Sequence, residues 1–201
     1  DNGTGISKTE FLARMCSLGA STKRGTAARG FRGVGRLAGL GYCQEVIFRS
    51  QAPGDAVISE IRWDCRKLKT ALRSADSSHR LAEIVRTIVE ANETASKERG
   101  AHFFEVELRG IVRHGNDRLL NTQAVSEYLA QVAPIPFSPD FRYGSEIEEF
   151  LRPHVALGNV HIHVNGSECP LFRPHRDQIE VGEGKFDDVT QISYQTTKTA
   201  K

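Results

Sequence analysis

The chain begins with the stretch Asp1-Asn2-Gly3-Thr4-Gly5-Ile6, in which a carboxylate stands beside two glycines. The Asp1 carboxylate can accept a hydrogen bond from an amino-bearing ring, and Gly3 and Gly5 let the bare backbone approach that ring. A second glycine-spaced run follows, Gly30-Phe31-Arg32-Gly33-Val34-Gly35-Arg36. Its backbone N–H groups can turn toward phosphate oxygens, with the N-terminus of a helix behind them. Together, and in this order, the two runs predict a nucleotide pocket.

These runs resemble the motifs of the GHKL ATPases, the family that contains gyrase B, the ninety-kilodalton heat-shock chaperones, histidine kinases and MutL mismatch-repair proteins. The stretch Asp1–Ile6 resembles their adenine-binding motif, and Gly30–Gly35 resembles their glycine-rich phosphate motif. Between the two, Gly19-Ala20-Ser21-Thr22-Lys23 is similar to the start of the lid that folds over ATP. The resemblance rests on specific motifs over residues 1–112 and holds only in outline over residues 113–175.

The resemblance implies a set of residues that bind ATP. Asp1 would accept from the adenine amino group, and Lys23 and Arg32 would contact the triphosphate directly. A solvated basic loop explains the neighbouring Arg24 and Arg29 equally well. The complete implied set is Asp1, Gly3, Gly5, Ser21, Thr22, Lys23, Gly30, Arg32, Gly33, Val34 and Gly35.

Two departures from the family bear on activity. In the family, a Glu that activates water and an Asn that holds Mg²⁺ lie on a helix upstream of the adenine motif, so both are expected upstream of Asp1. Because hydrolysis requires a base and a metal, we expect an ATPase in the intact protein and little or no hydrolysis by this N-terminally truncated fragment. At Gly100-Ala101-His102 the family carries Gly-Thr, and Ala101 lacks the hydroxyl that supports the adenine.

Composition limits the possible classes of protein. A chain of 201 residues that is 39% hydrophobic suits one domain and part of another. No apolar run reaches the roughly 18 residues of a membrane span, and no signal peptide is recognisable. The net charge of +2 does not require a nucleic-acid partner. We therefore expect a cytoplasmic protein that binds an adenine nucleotide and has no membrane partner, and the composition does not favour a nucleic-acid partner.

No metal site is predicted within the chain. His161 and His163 share one face of an expected strand, but no third ligand lies near them. The cysteines have no C-x-x-C spacing, which argues against a zinc site or a disulfide framework and favours a reducing compartment. These cysteines are Cys16, Cys43, Cys65 and Cys169.

Periodicity predicts most of the secondary structure. Ser7-Lys8-Thr9-Glu10 has the pattern of a capping box and starts a helix that ends before Gly19. Residues 81–93 fit either a helix or a strand, and we favour a strand from about Ile84 because the Phe103 strand needs a partner. The other predicted elements are a short helix through Leu37 and Leu40, strands at Gln44–Ser50, Asp55–Asp64, Phe103–Val112 and Val160–Val164, helices at Asn121–Ala133 and Ser145–Leu151, and a hairpin turn at Asn165-Gly166.

The predicted fold class is α+β, by resemblance the Bergerat fold: a mixed, mainly antiparallel sheet with helices on one face, incomplete at the N-terminus. The expected division is an ATP-binding domain at 1–112, helices and a hairpin that complete or extend it at 113–175, and a linker or the start of a following domain at 176–201. The resemblance favours a chaperone-like ATPase with a nucleotide-gated lid, which self-associates or dimerises and acts on a protein client. An ATP-dependent binding switch without turnover and a MutL- or MORC-like DNA-processing ATPase remain alternatives.

Overall fold

A computed structural model divides the chain into two compact units, Asp1–Gly115 and Asn116–Lys201, which are described separately. The residues that the structure describes are 1–17, 35–74, 81–97, 100–113, 115, 118–154, 160–176 and 178–188.

The first unit is built on a four-stranded antiparallel sheet with the strand order β3-β2-β1-β4. Its elements in chain order are α1 (Lys8–Cys16), a 3₁₀ helix (Gly35–Gly41), β1 (Glu45–Gln51), β2 (Val57–Asp64), α2 (Cys65–Ser74), α3 (Leu81–Ile88), β3 (Val89–Ala95) and β4 (Phe103–Arg109). This arrangement confirms the α+β class and is consistent with a GHKL Bergerat-type fold. The predicted strand pair around Pro53-Gly54 is confirmed as β1 and β2.

The core lies between one face of the sheet and the helices. In β1 and β2 every second side chain points to this face, and the register pairs Val46 with Trp63 and Phe48 with Ile61. Trp63 is 2% exposed. The helices contribute the other large buried side chains, which are Phe11 and Met15 of α1 and Ile84, Val85 and Ile88 of α3.

The opposite face of the sheet carries an ion-pair network centred on Arg49. The Arg49 guanidinium contacts carboxylate oxygens of Glu60 at 2.6 Å, Glu105 at 2.5 Å and Glu107 at 2.7 Å. Three carboxylates from β2 and β4 therefore converge on one cation from the strand between them. Ile47 lies on this same face and is only 2% exposed, which indicates that the long charged side chains cover apolar surface as well as pairing with one another.

The expectation of a strand from Ile84 is wrong. Residues Leu81–Ile88 form helix α3, and the strand begins only at Val89. The apolar residues from Ile84 to Ile88 are buried at helical spacing, whereas β3 is exposed along most of its length. The partner that the β4 strand required is supplied by β1, and β3 pairs with β2 instead.

The capping box predicted at Ser7 does not form. Ser7 is the N-cap of α1, but its hydroxyl makes no capping hydrogen bond and instead lies 3.4 Å from a Glu10 carboxylate oxygen. The Asp55 carboxylate, from the turn between β1 and β2, accepts a 2.9 Å hydrogen bond from the Lys8 N–H. A residue distant in sequence therefore caps the first turn of α1.

The second unit contains two helices and a hairpin: α4 (Thr122–Val132), α5 (Gly144–Leu151), β5 (Gln178–Gly182) and β6 (Lys185–Asp188). Both helices were predicted and are confirmed. Asn121 caps α4, since its side chain accepts from the Ala124 N–H at 3.0 Å. The hairpin lies within residues 176–201, for which the sequence suggested only a linker or the start of a further domain.

The prediction of a strand at Val160–Val164 is wrong, although the turn predicted after it is present. Asn165 and Gly166 have φ angles of 51° and 70°, which suit the expected turn. One backbone hydrogen bond crosses from the Leu171 N–H to the Ile162 carbonyl at 2.8 Å. The next donor of such a ladder, the Arg173 N–H, is directed instead to the Pro136 carbonyl at 2.9 Å, so the pairing does not extend.

Candidate functional site

The edge of the sheet beside β4 holds the start of the adenine motif. The backbone nitrogen of Asp1 donates to the Phe104 carbonyl at 2.7 Å, and the Phe104 N–H donates to the Asp1 carbonyl at 2.9 Å. This reciprocal exchange is that of an antiparallel pair, in which facing side chains project from the same face of the sheet. Phe104 packs against the core, so the pairing places the Asp1 side chain on the helix-covered face.

Asp1 and Gly3 form a tight local turn. The Gly3 N–H donates to Oδ1 of Asp1 at 3.0 Å, which fixes the direction of the carboxylate relative to the following backbone. The second carboxylate oxygen makes no hydrogen bond to any described residue and can accept from a ligand. This geometry is suited to an exocyclic amino group, which is a donor.

The stretch Asp1–Ile6, called here the adenine turn, lies directly on β1 and β4. Gly5 has a φ of +65°, and a Cβ at this position would stand 2.1 Å from the Gln51 carbonyl oxygen. The Ile6 N–H donates to the Ser50 hydroxyl at 2.7 Å. Only glycine combines this backbone conformation with so close an approach, which explains why the second glycine of the motif stands at position 5.

One residue just before β4 contacts the turn, and one residue within β4 is exposed on the same sheet face as Phe104. His102 Nδ1 lies 2.7 Å from the Gly3 carbonyl oxygen. Val106 lies on the same face as Phe104, two residues along β4, and is 49% exposed although its partner Phe48 is buried. Val106 thus offers an exposed apolar side chain on the same sheet face as Phe104, the residue that pairs with Asp1.

Of the residues predicted to contact phosphate, the structure describes only the last one, Gly35. Gly35 is the first residue of the 3₁₀ helix, and Gly39 of that helix packs so closely on the sheet that a Cβ would stand 2.8 Å from a Leu108 methyl carbon. The structure therefore places the segment after the phosphate motif against β4. The other residues predicted for phosphate and lid contacts lie outside the described residues, namely Ser21, Thr22, Lys23, Gly30, Arg32, Gly33 and Val34.

The structure brings together the adenine-side residues Asp1, Gly3 and Gly5 and adds contacts that the sequence reasoning missed. The contact made by Ser50 could not be foreseen from the sequence, because a single serine in a strand is common. His102 could have been noticed, because it lies beside the position where the family's threonine is replaced by Ala101.

Across the described ranges, no group of three His, Cys, Asp or Glu side chains could hold a metal ion. None of the described helices is long and apolar enough to cross a bilayer.

Comparison with known proteins agrees with this geometry. Residues 1–95 match the family model for histidine kinase-, DNA gyrase B-, and HSP90-like ATPase. The matched segment runs from the adenine turn to the end of β3. The match supports the GHKL family and an ATP-binding segment of such an ATPase. A comparison with curated proteins found no significant match.

Proposed function

We propose that this chain is the adenine-nucleotide-binding part of a GHKL-type ATPase with a chaperone-like role. The observation that carries the proposal is the Asp1 carboxylate, which is fixed at the sheet edge by Phe104 and Gly3 and keeps one oxygen open to a donor. The match over residues 1–95 supports the ATP-binding part of this proposal.

The geometry favours adenine over bases that carry a carbonyl in the same position. A carboxylate oxygen accepts a hydrogen bond from the adenine amino group, whereas it repels the 6-carbonyl oxygen of hypoxanthine or guanine. We therefore propose ATP as the ligand and expect inosine triphosphate to bind less tightly.

In this proposal, nucleotide binding and hydrolysis also depend on residues other than Asp1, Gly3 and Gly5. Lys23, Arg32 and the backbone of Gly33–Gly35 contact the phosphates, and residues 20–30 close over them. Hydrolysis in this proposal also requires a general base and a Mg²⁺ ligand in addition to these residues. Binding of a non-hydrolysable ATP analogue is then expected to increase the protection of residues 20–30 from hydrogen exchange.

The partner of the proposed ATPase is a protein, either a client or a second copy of the chain. Support comes from the second unit, where large apolar side chains on and before α4 are exposed: Leu120 by 62%, Tyr128 by 64% and Val132 by 58%. Tyr128 and Val132 lie one turn apart on α4, and exposed apolar surface is typical of protein interaction sites.

The described residues include all four cysteines, which form no disulfide, and Cys43 and Cys65 are buried. This state fits a reducing, cytoplasmic location.

Calorimetry on the intact protein tests the proposal. Asp1→Asn is the informative variant, because an asparagine oxygen can still accept from Gly3 while the side chain loses its second acceptor. We expect ATP affinity to fall by about 1–3 kcal/mol, the scale for leaving a polar partner unsatisfied. Unchanged affinity would remove Asp1 from the site. Turnover by the intact protein separates an ATPase from a binding switch.

A further inference from the structure

The hydroxyl of Ser50 joins three segments at the base of the adenine turn. Ser50 lies one residue from the end of the β1–β4 pairing and is 1% exposed. Its Oγ accepts from the Ile6 N–H at 2.7 Å and donates to the Phe103 carbonyl at 3.0 Å. One buried side chain therefore connects the end of the adenine turn to both β1 and β4.

His102 contacts the middle of the same turn. A carbonyl oxygen can only accept, so His102 Nδ1 must carry the hydrogen in its 2.7 Å contact with Gly3. Both backbone polar groups of Gly3 are thereby engaged, since its N–H donates to the Asp1 carboxylate. Movement of Gly3 would carry the carboxylate with it.

We propose that Ser50 and His102 are positioning residues that set the direction of the Asp1 carboxylate and so determine the preference for adenine. The proposal rests on the proposed function, because it assumes that Asp1 accepts from the base. Neither residue needs to touch the nucleotide. Both act through backbone groups of the turn, at Ile6 and Gly3.

The physical reason is the geometry that a base-selective hydrogen bond requires. Such bonds weaken steeply when the donor, hydrogen and acceptor depart from alignment. A turn that contains Gly3 and Gly5 has little conformational stiffness of its own. The contacts at Gly3 and Ile6 supply the rigidity that the turn lacks, as a pre-organised binding site needs.

The test compares ATP and inosine triphosphate affinities in the intact protein and in four variants. Ser50→Ala removes the hydroxyl, and Ser59→Ala is the matched control, because Ser59 faces Ser50 across β1 and β2 and is also buried. His102→Leu removes the Nδ1 donor, and His102→Asn restores a donor at a similar distance from the backbone. Thermal unfolding without nucleotide is measured for each variant.

Ser50→Ala and His102→Leu are each expected to weaken ATP binding by roughly three- to tenfold, the range for one hydrogen bond. Inosine triphosphate affinity should change little, so the ratio of the two affinities falls. Ser59→Ala and His102→Asn should keep the ratio of the unsubstituted protein. A general loss of folded protein would lower both affinities together and leave the ratio unchanged. His102 is exposed, so its variants remain informative if Ser50→Ala does not fold.

The possible failures are distinguishable. If the unsubstituted protein binds ATP and inosine triphosphate equally or not at all, the proposed function is wrong and this inference is rejected with it. If the unsubstituted protein prefers ATP and both Ser50→Ala and His102→Leu keep that preference, the positioning role alone is overturned. Equal effects of His102→Leu and His102→Asn would also reject the role assigned to the Nδ1 donor.

Discussion

The α-carbon of Gly5 lies so close to Gln51 that a Cβ there would stand 2.1 Å from the Gln51 carbonyl oxygen. The obstacle is strand backbone, so it cannot rotate away as a side chain could. Gly5 also has a φ of +65°, a conformation that other residues adopt only with strain. The adenine turn therefore lies where it does because position 5 has no side chain.

Gly5→Ala should destabilise the first unit and abolish ATP binding, because the turn must leave β1 to relieve the clash. Gly54→Ala is the matched control: Gly54 also has a positive φ, of +90°, but a Cβ there meets no atom within 4 Å. The control should lose only the stability that backbone strain costs, on the order of 1 kcal/mol. Urea unfolding of both variants measures the difference. Similar losses of stability would show that the close approach to Gln51 is unimportant.

Asp55→Ala should lower the free energy of unfolding by about 1 kcal/mol, the usual value of an N-terminal helix cap. The Asp55 carboxylate accepts from the Lys8 N–H, and this group would be left without that partner. Ser7→Ala should have a smaller effect, because the Ser7 side chain makes no capping hydrogen bond. Denaturant unfolding decides between them. A larger loss for Ser7→Ala would reinstate the capping box indicated by the sequence.

Lowering the pH should reduce the stability of the first unit, because Glu107 becomes protonated. Hydrogen bonds from Arg109 and then Arg49 lower the pKa of Glu107 from 4.5 to about 2. A carboxyl group with a depressed pKa contributes stability that is fully present above the unfolded pKa and is lost as the pH falls through the folded pKa. The loss attributable to Glu107 should therefore occur between pH 4.5 and about 2.

Glu107→Gln tests this assignment by unfolding measurements across that pH range. The variant should be less stable than the unsubstituted protein above pH 4.5, and the difference should shrink as the pH approaches 2. Arg109→Gln, which removes the first of the two donors, should shift the acid-induced loss to higher pH. A constant difference at all pH values would contradict the predicted role of the Glu107 charge.

The cysteines should differ sharply in reactivity toward a thiol reagent. Burial raises the pKa of Cys43, and burial followed by the nearby Cys43 raises the pKa of Cys65 to about 12. Their sulfur atoms lie 3.9 Å apart in the core, whereas Cys169 is exposed. Because the thiolate is the reactive form, Cys169 should react first and the buried pair only after unfolding. Mass spectrometry of the labelled protein, with Cys169→Ser as control, measures the order. Rapid native-state labelling of Cys65 would show that the core opens readily.

Elements with strong local signals could be predicted from the sequence. The alternating residues around Pro53-Gly54 determine two strands with a turn between them, because side chains on a strand alternate between faces. Asn121 and the apolar spacing that follows it determine α4. The carboxylate and glycines of Asp1–Ile6 indicate the adenine motif, because few residues other than glycine permit such a turn.

Elements that depend on distant partners were decided only by the tertiary structure. The residues from Ile84 to Ile88 suit a helix or a strand, and the helix forms because it buries them against a sheet whose β4 already pairs with β1. The helix cap at Lys8 comes from Asp55 rather than from the adjacent Ser7. In each case the local sequence leaves two states close in energy, and burial or a hydrogen bond from another element selects between them.

The candidate site divides in the same way. The sequence by itself determined the chemical types at the adenine turn, namely the Asp1 carboxylate and the two glycines beside it. Only the tertiary structure decided which groups hold that turn, because Ser50 and His102 reach Ile6 and Gly3 across large separations in sequence. Sequence specifies which atoms can bind a base, but folding fixes their direction, since the restraining hydrogen bonds join segments that meet only in the assembled sheet.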